Sequence, residues 1–202
     1  MQITISVDGP SASGKGTLAK RIAEHLNFHY LDTGLLYRAI ALKDGDPILA
    51  AKAITPEDLL EPKLRSMHVA RKASKVAAVP EVRAALLKYQ QEFALREPGA
   101  VLDGRDIGTC VCPNAQIKLF IEASLSVRAE RRAKELGLDH KSTLIDLEAR
   151  DARDRFRPVS PLRPAPGSYI IDTTNLNADQ AFRIAISYIE KAQERVKKSD
   201  KE

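Results

Sequence analysis

A glycine-rich segment near the amino terminus contains the residue types that bind phosphate. It follows a β-branched, alternating run typical of a buried strand, Ile3-Thr4-Ile5-Ser6-Val7-Asp8, and reads Gly9-Pro10-Ser11-Ala12-Ser13-Gly14-Lys15-Gly16-Thr17. Small residues let successive backbone N–H groups turn inward around an anion, and a helix beginning near Gly14 would add its positive dipole end. Lys15 is then placed to reach the outer phosphates of a nucleoside triphosphate. The segment therefore predicts a phosphate-binding loop rather than an ordinary strand-to-helix turn.

This loop departs from the common pattern G-x-x-x-x-G-K-[ST] at its last position. Gly16 stands there, and the hydroxyl follows one residue later at Thr17. A second oxygen ligand is offered by Asp103, which directly follows the apolar run 100–102. An aspartate that closes a buried strand beside a phosphate loop is able to hold Mg²⁺ through water. Thr17 and Asp103 are therefore our candidate Mg²⁺ ligands, and a simple strand-end cap is the alternative role for Asp103.

Two other strand ends carry polar residues, at the edge where open α/β sheets build their sites. Thr33 and Arg38 follow one predicted strand, and Arg105 and Asp106 follow Asp103 within a glycine-flanked turn. Residues in such a turn are placed to contact a ligand rather than the core. Helix capping is the alternative role for Thr33, and simple surface exposure is the alternative for Arg38.

An arginine-rich stretch near residue 150 forms the third block. On a helix, Arg150, Asp154 and Arg157 share one face, and Arg153 adjoins Arg157. Guanidinium forks suit phosphate, and phosphoryl transfer depends mostly on positioning and charge compensation. We therefore predict a mobile lid that clamps phosphates, with Arg153 and Arg157 joining Lys15 and Asp103 as catalytic candidates. A solvated helix with i, i+4 ion pairs is the alternative.

Strand-like and helical runs alternate along the chain, which predicts an α/β fold with a mainly parallel, five-stranded sheet flanked by helices. The predicted strands cover 3–7, 29–31, 100–103, 116–121 and 168–171. The predicted helices cover 15–26, 33–42, 81–95, 126–135, 144–155 and 178–196, and the segment 43–64 is expected to hold short helices at most. We expect one domain of 202 residues, with a mainly helical region at 43–99, a lid at 136–166 and a frayed tail at 197–202.

The composition limits the partners. The 32 Lys and Arg residues exceed the 27 Asp and Glu residues, a net charge of +5 that alone would suit nucleic acid. The positive charges are spread along the chain, however, and only five Tyr and five Phe are available for stacking. We therefore expect small phosphorylated ligands and no nucleic acid.

Location and assembly are also expectations from the sequence. No run approaches the roughly 18 apolar residues that cross a bilayer, so we expect no membrane association. Cys110 and Cys112 form a single C-x-C, and the four histidines lack ligand spacing, which argues against zinc and for two reduced thiols. We expect a cytoplasmic monomer.

Five blocks in this order resemble the bacterial cytidylate kinases, monophosphate kinases of the P-loop fold. The resemblance runs from Ile3 to about Asn175 and rests on 9–17 with its Gly-Lys-Gly-Thr ending, 31–34 with Tyr37-Arg38, 73–77 with Pro80 and Val82-Arg83, 103–106, and 150–157. It implies transfer of the γ-phosphoryl group of ATP, with Mg²⁺, to CMP or dCMP. It further implies that Ser74, Arg83 and Asp106 read the cytosine edge, that Thr33, Arg38 and Arg105 hold the acceptor phosphate, and that Arg150, Asp154 and Arg157 contact its sugar and phosphate.

The chemistry of these residue types agrees with that implication. A carboxylate at Asp106 accepts a hydrogen bond from the cytosine amine and repels the carbonyl that uracil presents instead, which predicts a preference for cytosine. The chain departs from longer members of the family at 43–64, where there is little room for their small antiparallel sheet, and Thr33 stands where they usually carry serine. A kinase of another monophosphate or small metabolite, and a nucleic-acid-binding ATPase, are the alternatives. A GTPase would need Asn-Lys-x-Asp, which the chain lacks.

Overall fold

A computed structural model describes residues 2–199 and contains one sheet of five parallel strands. The strands are β1 (Ile3–Asp8), β2 (His29–Asp32), β3 (Gly99–Gly104), β4 (Ile117–Glu122) and β5 (Tyr169–Asp172), in the spatial order β2-β3-β1-β4-β5. β1 is central, with Ile3 opposite Gly99 of β3 and Ile5 opposite Ile117 of β4. The parallel α/β fold expected from the sequence is confirmed.

Helices cover both faces of the sheet. They are α1 (Lys15–Leu26), α2 (Thr33–Leu42), α3 (Pro47–Lys52), α4 (Met67–Val76), α5 (Pro80–Ala94), α6 (Leu125–Leu136), α7 (His140–Phe156) and α8 (Ala178–Ser199). One core cluster joins the sheet to α1 and α8, and a second joins it to α2 and α5. Because both faces are covered, the central strands β1 and β3 are buried almost throughout.

Several helix bounds differ from the sequence prediction. α7 begins four residues earlier than expected, because the Asp139 side chain caps it by accepting a hydrogen bond from the Ser142 amide at 2.8 Å. Residues 43–64 hold α3 and most of two short 3₁₀ turns, Glu57–Leu60 and Pro62–Arg65. α8 extends to Ser199 rather than ending near 196, and residues 200–202 of the expected tail lie outside the described part of the chain.

One short helical turn directly after β3 was not predicted. Residues Ile107–Val111 form a π-helical turn, in which the Cys112 amide donates to the Ile107 carbonyl at 2.7 Å. The turn packs against the end of β1 and follows Asp106 immediately. Within residues 2–199, no helix is both long and apolar enough to span a membrane.

Candidate active site

The phosphate loop connects β1 to α1, as the sequence predicts. Gly9 has a φ of 153°, and a Cβ atom there would lie 2.0 Å from the Ile121 carbonyl oxygen, so this position requires glycine. Gly14 has a φ of 86° and forms the N-cap of α1. The helix therefore begins at Lys15, with its amino-terminal amides directed at the loop. The Ser13 hydroxyl is buried and has no hydrogen-bond partner among the described residues. Buried polar groups are normally hydrogen-bonded, so this hydroxyl is available to a ligand in the loop.

Lys15 faces carboxylates at the ends of two neighbouring strands. Asp32 of β2 and Asp103 of β3 are paired in register, and both line the same cavity as Lys15. Burial, together with the Arg105 guanidinium, lowers the pKa of Lys15 to about 8, while the two carboxylates oppose that change. Burial and the neighbouring Asp32 raise the pKa of Asp103 to about 6. A cation placed between Lys15 and these carboxylates would relieve the repulsion between the two acids.

Asp103 is held in place by a tyrosine. The Tyr30 hydroxyl donates to Asp103 Oδ2 at 2.7 Å, and burial and the nearby carboxylates raise the pKa of Tyr30, so its proton is retained. A Cβ at Gly16 would come within 3.2 Å of the same carboxylate oxygen, which places Asp103 directly beside the loop. Among the described residues there is no group of three or more His, Cys, Asp or Glu side chains that could hold a metal. A metal here would need phosphate oxygens and water to complete its ligands, as Mg²⁺ ordinarily does.

One cavity next to the loop collects every residue predicted to bind the acceptor. Seven cationic side chains and four carboxylates line it, so positive charge is in excess. The predicted residues are Thr33, Arg38, Ser74, Arg83, Arg105, Asp106, Arg150, Asp154 and Arg157, with Lys15 and Asp103 at the loop end. We call this space the acceptor cavity. Its charge and its position next to the loop suit a ligand with a phosphate group.

The arginines and aspartates of the acceptor cavity are paired with one another. Asp106 accepts hydrogen bonds from Arg83 and from Arg157, the latter at 3.1 Å, and all three side chains are buried. Arg105 donates to Asp154 at 2.9 Å. Burial by itself would raise the pKa of Asp154, but Arg105 and other nearby arginines lower it below its usual value. These pairs keep the charged groups in place while no ligand is bound.

Two buried N–H groups in the acceptor cavity remain without an acceptor. The Nε atoms of Arg83 and Arg150 have no hydrogen-bond partner among the described residues. Burial and the adjacent Arg105 also lower the pKa of Arg150, because cations are crowded around it. Buried donors normally find acceptors, so both groups indicate a ligand that supplies oxygen or nitrogen lone pairs. Arg83 also lies over the Tyr37 ring, 5.6 Å from its centroid, on the side of the cavity lined by α4 and α5.

A second cavity borders the other side of the phosphate loop. Ser13, Gly14 and Thr17 contribute one wall, and the rest comes from Leu18, Arg21, Arg131, Thr173, Leu176, Asn177, Ala178 and Ala181. Arg131 donates to the Thr173 carbonyl at 2.7 Å, and the Thr173 hydroxyl donates to the Ser13 carbonyl at 2.9 Å. These bonds fix the loop that follows β5 against the phosphate loop. We call this space the donor cavity.

Two predicted residues, Thr17 and Arg153, occupy places other than those expected, and for Thr33, which lines the acceptor cavity, the alternative role of helix capping does not apply. Thr17 lines the donor cavity, whereas Asp103 lines the acceptor cavity, so the two candidate Mg²⁺ ligands face different spaces. Arg153 is exposed and donates to Ser74 Oγ at 2.7 Å from a neighbouring space rather than lining the acceptor cavity. Thr33 does not cap α2, because its hydroxyl donates to the Asp103 carbonyl at 2.6 Å instead.

The structure also brings in residues that the sequence reasoning missed. Arg132 of α6 lines the acceptor cavity, and Arg131 of the same helix supports the donor cavity. Asp32 pairs in register with Asp103. The sequence feature that could have revealed the two arginines is their position, Arg131-Arg132, shortly after a predicted strand. A basic pair on a helix usually lies on the solvated surface, however, so this feature alone does not indicate a binding site.

Comparisons with known proteins agree with this arrangement. A model of the cytidylate kinase family matches residues 5–46 and 46–191. The cytidylate kinase of Cereibacter sphaeroides strain KD131 is 50% identical over 198 residues, which cover 94% of this chain and 96% of that protein. The cytidylate kinase of Paramagnetospirillum magneticum is 50% identical over 207 residues, covering 94% of this chain and 98% of that protein.

A solved structure extends the likeness to the fold. The gluconokinase from Sinorhizobium meliloti superimposes with a TM-score of 0.63, covering 98% of this chain and 97% of that chain at 16% sequence identity. At that identity the likeness concerns the P-loop kinase fold alone. Together, the family match and the relatives at 50% identity show that the chain belongs to the cytidylate kinase family.

Proposed function

We propose that this protein transfers the γ-phosphoryl group of ATP to CMP and dCMP. The observation that carries the proposal is that one phosphate loop separates two cavities of different chemistry. A kinase of nucleotides needs this arrangement, because the donor and the acceptor must approach the same phosphoryl group from opposite sides. The names of the relatives at 50% identity support cytidylate as the acceptor.

The acceptor base is assigned to the end of the acceptor cavity formed by Ser74, Arg83 and Asp106. The Asp106 carboxylate accepts from the exocyclic amine of cytosine. Arg83, whose Nε is buried without an acceptor, donates to the ring nitrogen or carbonyl of the same base. The Ser74 hydroxyl, which now accepts from Arg153, supplies a third polar contact. Uracil would bring a carbonyl against Asp106, so it is disfavoured.

The remaining residues of the acceptor cavity are assigned to phosphate and sugar. Thr33, Arg38 and Arg105 hold the acceptor phosphate, and Arg105 must exchange its present partner Asp154 for phosphate oxygens. Arg150, Asp154 and Arg157 contact the sugar and the phosphate. The Nε of Arg150 supports this assignment, since it lies 3.9 Å from Asp154 Oδ2 and has no hydrogen-bond partner among the described residues, so a phosphate oxygen would satisfy it.

ATP is assigned to the loop, residues 9–17, with its base in the donor cavity. The loop amides and Lys15 hold the phosphates. The base lies against the mainly apolar wall that includes Leu18, Leu176 and Ala181. Mg²⁺ would be held by Asp103, in part through water, and by Thr17 from the donor-cavity side of the loop. The fit on the Asp103 side is good, because its buried carboxylate stands beside Asp32 and next to the loop. When bound, Mg²⁺ offsets phosphate charge.

The reaction requires no covalent intermediate and no strong base, because the acceptor phosphate is already a nucleophilic anion. Lys15, Arg153 and Arg157 offset the charge that would otherwise keep the two phosphate groups apart. For Arg153, this role requires its side chain to leave Ser74 and turn toward the phosphates. We further propose that the enzyme acts in the cytoplasm as a monomer.

The experiment that tests the function is a coupled assay of ADP release with ATP and Mg²⁺. CMP, dCMP, UMP, AMP and GMP are compared as acceptors, with no acceptor as the control. We expect turnover with CMP and dCMP to exceed that with the other monophosphates. Turnover dominated by another acceptor would reassign the base site, and hydrolysis that needs no acceptor would indicate an ATPase.

We also expect ATP binding to take up protons above about pH 8. The pKa of Lys15 is lowered to about 8 in the free enzyme, so much of the amine is neutral there, and the phosphates of ATP favour its charged form. Isothermal titration calorimetry at pH 8.5, in buffers with different ionisation enthalpies, gives the number of protons taken up. Lys15→Arg is the matched control, because arginine stays protonated and should take up none. Equal uptake by both proteins would contradict this assignment.

A further inference from the structure

A buried carboxylate at the end of β1 has no role in the function proposed above. Asp8 is 3% exposed, and its two oxygens accept hydrogen bonds from the backbone amides of Ile107 and Gly108, each at 2.8 Å. These two residues follow Asp106 directly, at the start of the π-helical turn. One side chain from β1 therefore holds the turn that begins at the base-reading residue, about 100 positions later in the chain.

The amides that Asp8 binds are those that a helical turn leaves without internal partners. The first N–H groups of any helical turn have no carbonyl before them to bond, so a side chain or water must accept from them. Aspartate at the N-cap position usually does this itself, by folding its carboxylate back onto the second or third amide. Asp106 occupies the N-cap position of this turn, and yet its side chain makes no such bond.

The Asp106 carboxylate instead faces Arg83 and Arg157 in the acceptor cavity. The two guanidinium groups hold it there, and the Gly108 amide, its nearest capping donor, is already occupied by Asp8. Asp8 therefore caps the turn, and Asp106 contacts the arginines of the acceptor cavity.

We propose that Asp8 is a positioning residue for acceptor selectivity, which caps the π-helical turn from β1 and so keeps the Asp106 carboxylate in the acceptor cavity, where the acceptor base would contact it. This inference rests on the proposed role of Asp106 in reading cytosine. Without Asp8, the Asp106 carboxylate turns to the amides of its own turn, and both the cytosine contact and the exclusion of uracil weaken.

Gly108 supports this assignment because it sets the distance between the turn and β1. A Cβ atom at position 108 would lie 2.8 Å from the Ser6 hydroxyl oxygen and 3.4 Å from Asp8 Oδ2. Glycine therefore permits the close approach that places its amide on the Asp8 carboxylate. The Ser6 hydroxyl is buried and has no hydrogen-bond partner among the described residues, so removing it by Ser6→Ala breaks no bond that the structure shows.

The test compares kcat/KM for CMP with that for UMP in Asp8→Asn, the isosteric variant with one oxygen acceptor instead of two. We expect the CMP-to-UMP ratio to fall about tenfold, with the KM for ATP within about twofold of the wild-type value. In an Asp106→Asn background, Asp8→Asn should change the ratio less than about twofold, because Asp8 acts only through Asp106. Thr4→Val is the matched control, since Thr4 is a buried polar residue of the same strand whose hydroxyl donates to the Ala94 carbonyl at the opposite end.

A second variant covers the case in which Asp8→Asn does not fold. Gly108→Ala pushes the turn away from β1 and should lower the CMP-to-UMP ratio in the same way. Adding Ser6→Ala removes the nearest clash but leaves the 3.2 Å approach to Ala165 Cβ, so it should restore part of the ratio. An unchanged ratio in folded Asp8→Asn, or in Gly108→Ala, overturns the role of Asp8. So would an undiminished effect of Asp8→Asn in the Asp106→Asn background, or a loss of selectivity in Thr4→Val. A wild-type enzyme without preference for CMP would instead overturn the proposed function itself.

Discussion

Replacement of Lys15 by methionine is expected to lower kcat on the order of 10³-fold, the loss that follows removal of one charge-stabilising donor from a phosphoryl or acyl transfer site. Methionine has a similar length and no charge, so the helix and the loop are retained while the phosphates lose their cation. Steady-state kinetics at saturating ATP and CMP measure the effect. Because Lys15 is assigned to the donor phosphates, the dissociation constant for CMP, measured by calorimetry without ATP, should change little.

The control for this experiment lies on the same helix. Lys20 is exposed on α1 and pairs with Glu24 at 3.8 Å, a surface contact of little energetic value. Lys20→Met should therefore keep wild-type kcat. Equal losses of CMP affinity and of kcat in Lys15→Met would show that Lys15 is not specific to the donor phosphates.

Replacement of Asp106 by asparagine is expected to lower the CMP-to-UMP ratio of kcat/KM by about 10–100-fold, corresponding to about 1–3 kcal/mol for one buried hydrogen-bonded group. The amide group of asparagine can donate to the uracil carbonyl, so UMP should gain while CMP loses. Parallel kinetics with both acceptors give the ratio. A ratio equal to that of the wild-type enzyme would show that another residue reads the base.

The same substitution should also destabilise the protein. Asp106 is the shared partner of two buried arginines, Arg83 and Arg157, and removing its charge leaves both guanidinium groups without compensation. We expect a loss of about 3 kcal/mol in the free energy of unfolding, measured by urea titration. Asp58→Asn is the comparison, because Asp58 pairs with Lys43 at 2.7 Å outside the acceptor cavity, and its loss should cost less and leave selectivity intact.

The parts of the site that the sequence predicts are those fixed by short spacing. The loop 9–17 and the first two helices follow from glycines, a lysine and apolar periodicity within a few residues, so their places in the fold could be predicted. Asp103 and Asp106 were found because each lies at or just after a strand end, where parallel sheets build sites. The resemblance to a known family was needed for Ser74 and Arg83, whose types are commonplace on helices.

The parts that were missed depend on contacts between distant segments. The link from Asp8 to the Gly108 amide joins two elements, and a strand-end aspartate has no local feature that reveals it. The difference between Arg153 and Arg157 is a matter of helix termination: α7 ends at Phe156, so Arg157 leaves the helix and turns into the cavity, whereas Arg153 stays on the helical surface. Helical spacing treats the two arginines as neighbours and cannot separate them.

The central position of β1 has a consequence for the folding of the chain during its synthesis on the ribosome. β1 is synthesised before its neighbours β3 and β4, which begin only at Gly99 and Ile117, so at about 5–20 residues per second it stays without either partner for roughly 5 to 20 seconds. During that interval its apolar side chains Ile5 and Val7 have no sheet in which to be buried. The nascent chain therefore depends on its helices, or on chaperones, for protection during this interval. Nucleotide cannot stabilise the loop until the strand that packs against Gly9 has been synthesised.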